Sequence, residues 1–207
     1  MKQDATVELF QYWNRLRDGR PAPKRTEVEP ADIKTLLADT FILEKDGRGE
    51  AVFRLAGTRL CAIYGRELKG FSFGSLWRER DRRILRKLLS GMFVDKSVVV
   101  VNFDGISVAG RTMPFELVVL PLEGGEESAR CIGLITACER AFWVGADRVV
   151  DANVTSMRVF DPQREPPLLK TRPKVSLPSD GNSAGQSTSF MARRVHHLIV
   201  LEGGRDD

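Results

Sequence analysis

The chain has 207 residues, 42% of them hydrophobic and 29% charged. That composition is close to a soluble globular average and supplies enough apolar material for a core, which excludes a wholly disordered chain. Net charge is only +4, from 32 basic and 28 acidic residues, so a nucleic-acid partner would need the bases gathered on one face.

No apolar run approaches the roughly 18 residues needed to cross a bilayer, and no membrane insertion is expected. Met1-Lys2-Gln3-Asp4-Ala5-Thr6 has no greasy segment behind a basic head, so no secretory signal is expected. Cys61, Cys131 and Cys138 form neither a CxxC pair nor an even disulfide framework, which points to reduced thiols and a cytoplasmic address.

In chain order, Leu9, Phe10, Trp13 and Leu16 at helical spacing predict a helix over 6–18. Gly19 is a C-terminal stop, and Pro21 and Pro23 prevent continuation. A short helix is expected after Pro30, with Ile33, Leu36 and Leu37 on its apolar side. Residues 39–45 and 51–56 read as two strands joined by the turn Asp46-Gly47-Arg48-Gly49, with Phe53 and Leu55 on one face. Gly57, Gly65 and Gly70 break residues 57–73 into short helical turns.

The clearest helix spans 77–93, with Trp77, Ile84, Leu85, Leu88, Leu89 and Met92 as its apolar stripe. Three strands follow, at 97–104, 111–122 and 130–143. The order predicts an α+β fold around one five-stranded antiparallel sheet, with short helices, one longer connecting helix and an N-terminal helix. The expected organisation is a helical cap over 1–38, a core over 39–145 and an extension over 146–207. Residues 161–189 hold five of the ten prolines, and they read as a flexible tail. A short apolar segment near 195–201 is read as able to dock back as a strand.

Alternation is imperfect in the last three strands. Val99, Val101 and Phe103 share a face, as do Phe115, Leu117 and Val119, and Ile132, Leu134 and Thr136. The opposite faces carry Val98 and Val100, Val118 and Leu120, and Cys131 and Ile135. A sheet wet on one side alternates more strictly, so both faces must be covered. The connecting helices cover one. The first helix, through Phe10 and Trp13, or a second copy of the protein covers the other.

The run Phe53-Arg54-Leu55-Ala56-Gly57-Thr58-Arg59-Leu60, followed by Tyr64-Gly65-Arg66-Glu67-Leu68-Lys69-Gly70, resembles a bacterial single-domain group of PAS-like proteins. So do the helix bearing Tyr12-Trp13 and the basic turn Gly19-Arg20-Pro21. The resemblance spans roughly residues 8 to 145. It implies a sensory or regulatory module that binds a small molecule between sheet and helices, or pairs with partners through the outer face of the sheet. Fold alone does not fix function.

The site chemistry narrows that class. Haem sensors of this fold use an axial histidine near the longer helix, whereas the only histidines here are His196 and His197, and one adjacent pair makes no metal centre. The light-sensing flavin relatives carry Asn-Cys-Arg, whereas Cys61 lies in Arg59-Leu60-Cys61-Ala62 and reads as a small buried side chain. Neither haem nor flavin is expected, and no cofactor is assigned. An unknown small ligand could be lined by Phe53, Leu55, Tyr64, Phe103 and Phe115, with Cys61 and Thr136 as small or polar contacts. The same side chains also serve as ordinary core.

Asp104 and Glu116 could look like paired carboxylates, but strand parity gives only a loose expectation of their distance. With no nucleophile elbow, phosphate loop or HExxH helix, no catalytic activity is expected. Arg78-x-x-x-Arg82 with Gly105–Gly110 resembles the cyclic di-GMP motif of PilZ domains, but Gly105 stands where Asp or Asn belongs. Arg78, Arg80, Arg82, Arg83, Arg86 and Lys87 raise nucleic-acid binding as a further alternative. Glu79 and Asp81 interrupt them, as on a solvated helix face. The expected mechanism is association, as a homodimer or with a signalling partner, through Phe10, Trp13, Val98, Val100, Val118 and Leu120.

Overall fold

The computed structural model describes residues 1–124 and 129–163, and the backbone of 194–195 and 198–199. Helix α1 (Asp4–Arg17) opens the chain. Asp18 and Gly19, both left-handed, end it, and Pro21 and Pro23 follow where the helix cannot continue. Single 3₁₀ turns at Arg25–Glu27, Pro30–Ile33 and Leu37–Asp39 lead to the hairpin β1 (Thr40–Lys45) and β2 (Ala51–Ala56). Then come α2 (Thr58–Tyr64), a 3₁₀ turn at Phe73–Leu76 and the long helix α3 (Glu79–Asp95). Strands β3 (Val98–Ser107), β4 (Thr112–Leu122), β5 (Arg130–Ala137) and β6 (Val149–Phe160) complete the sheet.

All pairings are antiparallel, in the order β2-β1-β5-β4-β3-β6. The five expected strands are present, and β6 is a sixth. It pairs along the whole of β3, so residues 149–160 belong to the sheet and not to an extension. The last expected strand ends at Ala137 rather than at 143. The proline-rich segment expected as a tail lies outside the described residues beyond Gln163. In the C-terminal unit, Arg194–Val195 (β7) pairs with Leu198–Ile199 (β8) as a two-residue ladder.

The sheet separates two hydrophobic cores. On the inner face, α2 and α3 close over Phe41, Phe53, Phe103, Phe115 and their neighbours. On the outer face, α1 closes over Val98, Val100, Val118, Leu120, Ile132 and Leu134. Both faces are therefore covered, as the weak alternation requires.

Two expected positions are corrected. The β1–β2 register shifts between Ile42 and Leu43, so Ile42 faces Leu55 while Leu43 faces Phe53, leaving Arg54 as the extra residue. An extra residue reverses the alternation beyond it. Phe53 is therefore 1% exposed, whereas Leu55 is 49% exposed and lines no interior pocket. In β5, Cys131 and Ile135 face inward while Ile132 and Leu134 face α1. Thr136, paired with Glu116, goes with the outer set and leaves the group of inner-face residues. Gly133 is the inward position between them. A Cβ there would lie 2.2 Å from the Phe41 ring, which fills that gap.

Candidate functional site

Three regions carry chemistry. The first is the inner core, where the small-ligand pocket was expected. Phe41, Phe53, Phe73, Trp77, Phe103 and Phe115 form a continuous aromatic chain with ring centroids 4.8–6.1 Å apart. Tyr64 belongs to the same cluster and Cys61 packs at its margin, so five of the seven expected residues do gather there. They pack against one another. A void of about 10 Å³ between residues 49–51 and α3 is about the space of a single water. One polar atom stands out: the Nε1–H of Trp77, buried without a partner among the described residues.

The thiols differ in setting. Burial pushes Cys131 far above the ordinary thiol range, and Cys138 is raised by burial and by the nearby Glu116 carboxylate. Cys61 is half-buried and lies 3.7 Å from Glu67 Oε1.

The second region is the outer face, where all six expected interface residues meet. Phe10, Trp13, Val98, Val100, Val118 and Leu120 are each at most 4% exposed, and the chain itself covers them. This cover is pinned at both ends. At its start, the carboxylate of Glu116, 1% exposed on β4, accepts the backbone N–H groups of Lys2 (2.8 Å) and Gln3 (3.1 Å) and the hydroxyl of Thr6. Gln3 offers no side-chain cap of its own, so a residue more than a hundred positions away caps the helix.

Further along, the Trp13 indole donates to Pro121 O at 2.7 Å, and the Tyr12 hydroxyl accepts Glu29 N–H at 2.8 Å. The Tyr-Trp pair thus binds the helix to the sheet on one side and to the following strap on the other. Arg17 lies over the Trp13 ring and donates to Arg20 O and Pro162 O, joining the helix end to the turn that follows β6. Burial lowers its pKa from the ordinary guanidinium value. Glu116 was noticed in the sequence only as half of an acid–base pair; nothing local marks it as a cap.

The third region was not anticipated. A surface cleft of about 250 Å³ is lined by Tyr64, Arg66, Ser75, Leu76, Arg148, Val149 and Val150. It lies where α2 and the Phe73–Leu76 turn meet the start of the added strand β6. The Arg66 guanidinium sits 4.7 Å from the Phe71 ring centroid and donates to Ser75 Oγ at 3.3 Å.

Arg78, Arg82 and Arg86 of the rival readings make contacts within the chain. Arg82 donates to Gly74 O, Trp77 O and Glu79, and Arg78 pairs with Asp151. Arg86 pairs with Glu50. Neither the cyclic di-GMP nor the nucleic-acid alternative is favoured. Among the described residues no helix is long and apolar enough to cross a membrane.

No curated protein matches the chain. Among solved structures it is similar to the PAS domain of an HTR-like protein from Haloarcula marismortui, at 20% identity and a TM-score of 0.38, over 52% of this chain and 89% of that one. It is also similar to an RNA-binding Light-Oxygen-Voltage receptor, at 18% identity and a TM-score of 0.36, over 50% of this chain and 32% of that one. A family model for the PAS domain matches residues 1–136. That span takes in α1, the hairpin, the helical segment and the sheet through most of β5, and this chain belongs to the PAS domain family.

Proposed function

We propose that this sensory or regulatory PAS protein works by association, without catalysis, and that it presents the edge of its sheet at β6 to a second copy of itself. The observation that carries this reading is how exposure is distributed. The outer face is sealed by the chain's own α1, so the apolar positions expected to meet a partner are already used. Exposed apolar side chains remain along β6: Val150, Met157 and Val159.

Thr155 to Val159 are five consecutive exposed residues. Among the described residues, β6 pairs with β3 alone. Natural edge strands are protected by charge, proline or brevity. The stretch 153–160 has one charge, Arg158, and no proline, within a strand of 12 residues. Asp81 of α3 accepts the N–H of Val154, so the first turn of α3 reaches this strand.

An antiparallel pairing of β6 with its twofold copy would satisfy the free backbone groups and bury Met157 and Val159. Such an interface is isologous, requiring only one self-complementary patch. Light scattering over a concentration series tests it. The wild type should form a dimer, and Val159→Lys or Met157→Lys should return it to a folded monomer. A wild type that stays monomeric throughout, or a dimer that survives both substitutions, would contradict the reading.

A further inference from the structure

The cleft between α2 and the start of β6 brings together two guanidinium groups that lack a carboxylate partner among the described residues. Arg66 is held in place by stacking on Phe71 and by its bond to Ser75, and it has no acidic partner among the described residues. Arg148 makes no side-chain hydrogen bond or ion pair there either. Its position is nonetheless built: its stem runs over Gly65, where a Cβ would come within 2.9 Å of Arg148 Cβ. Gly65 is the left-handed C-cap of α2, at φ +63°, so the helix stop also makes room for the arginine.

None of the nearby acids pairs with either arginine among the described residues. Asp151 pairs with Arg78, Glu67 accepts the backbone N–H of Lys69 and lies near Cys61, and Asp147 Oδ2 lies 3.8 Å from Arg111 without a hydrogen bond. Ser75 and Tyr64 add hydroxyls to the lining, and Tyr64 has no hydrogen-bond partner among the described residues. Two like charges sharing one cleft repel each other, and a bound anion would relieve that repulsion.

We infer that this cleft is a binding site for a small phosphorylated molecule, its phosphate held by Arg66 and Arg148. A phosphate monoester places a charge of about −1.5 to −2 on one group with three acceptor oxygens. Two guanidinium forks match that charge and can each make paired hydrogen bonds. A single carboxylate would leave one arginine uncompensated. At about 250 Å³ the cleft has room for the phosphate and a few further heavy atoms, with Leu76, Val149 and Val150 against the apolar part. The site does not depend on dimer formation.

Isothermal titration of the full chain at constant ionic strength tests the assignment, with glycerol 3-phosphate, inorganic phosphate and succinate as probes. Saturable one-to-one binding of glycerol 3-phosphate is expected, weakened at least tenfold in both Arg66→Gln and Arg148→Gln. Glutamine keeps much of each stem and removes the charge, and both arginines are exposed, so the variants should fold; circular dichroism checks this. No saturable binding of either phosphate probe would overturn the proposal. So would binding that survives both substitutions, and so would a preference for succinate, which would make the ligand a dicarboxylate.

Discussion

Thr6 on the first helix donates its hydroxyl to Glu116, a carboxylate buried in the middle of the sheet 110 positions later. This bond, with the two backbone donors beside it, fixes where α1 begins on the outer face. Glu116→Ala would remove the shared acceptor of the part-buried Lys2 and Gln3 N–H groups and of the Thr6 hydroxyl, which keeps Gln3 O as a second acceptor. Hydrogen bonds to a charged group are worth about 1.5–3 kcal/mol each, and partial access to water lowers the cost, so a loss of about 2–3 kcal/mol is expected in urea unfolding. Glu116→Gln keeps one acceptor oxygen and should lose less. A loss below about 0.5 kcal/mol for the alanine variant, within the range of a neutral surface change, would mean that the carboxylate is not holding the helix.

Trp13 tests the identity of the cover. Its ring is buried in the outer core and its Nε1–H is bonded to Pro121 O. Trp13→Ala should cost about 3–5 kcal/mol of stability and expose the outer face to a hydrophobic dye. Leu16, only partly buried at the margin of that core, should cost much less on the same change. If Trp13→Ala unfolds like the wild type, α1 does not seal the sheet.

The bulge in the first hairpin predicts opposite outcomes two residues apart. Phe53→Ala removes a buried aromatic ring and should cost about 3–5 kcal/mol. Leu55→Ser changes a half-exposed side chain and should stay within about 0.5 kcal/mol. Equal losses in thermal or urea melts would restore the simple alternation.

Cys131 gives a pH dependence. Burial raises its folded pKa far above the ordinary value of about 8.5, which the unfolded chain keeps. Above that value the unfolded state has fewer protons than the folded one, so stability falls as pH rises. Its contribution is fully present below about pH 8.5 and is progressively lost above it. Unfolding free energies measured from pH 7 to 10 should decline, and Cys131→Ala should flatten the decline. An identical slope in the variant would assign the alkaline loss to other groups.

How much of this was legible in the sequence follows from how locally each feature is encoded. Helix α1 and the hairpin turn were readable because their signals, the spacing of Leu9, Phe10 and Trp13 and the run Asp46–Gly49, lie within a few residues. The need for cover on both faces was readable from Val98–Val101 and Val118–Leu120. Leu55 was misplaced because a bulge is a property of two strands, and strict alternation within one cannot reveal it. Thr136 was misplaced because the joint orientation of β4 and β5 depends on their register. Strand β6 was missed because Thr155 to Val159 face water and offer no clean alternation. The Arg66–Arg148 cleft joins residues 82 positions apart through the glycine between them in space.

Association through the β6 edge has a signature in its own backbone. Hydrogen exchange at the backbone amides of Thr155 to Val159, followed by mass spectrometry at low and high protein concentration, probes it directly. Those amides that face away from β3 should become protected as concentration rises, and Val159→Lys should abolish the change while leaving protection in β3 and β4 intact. Exchange in β6 that is equally fast at every concentration would contradict it.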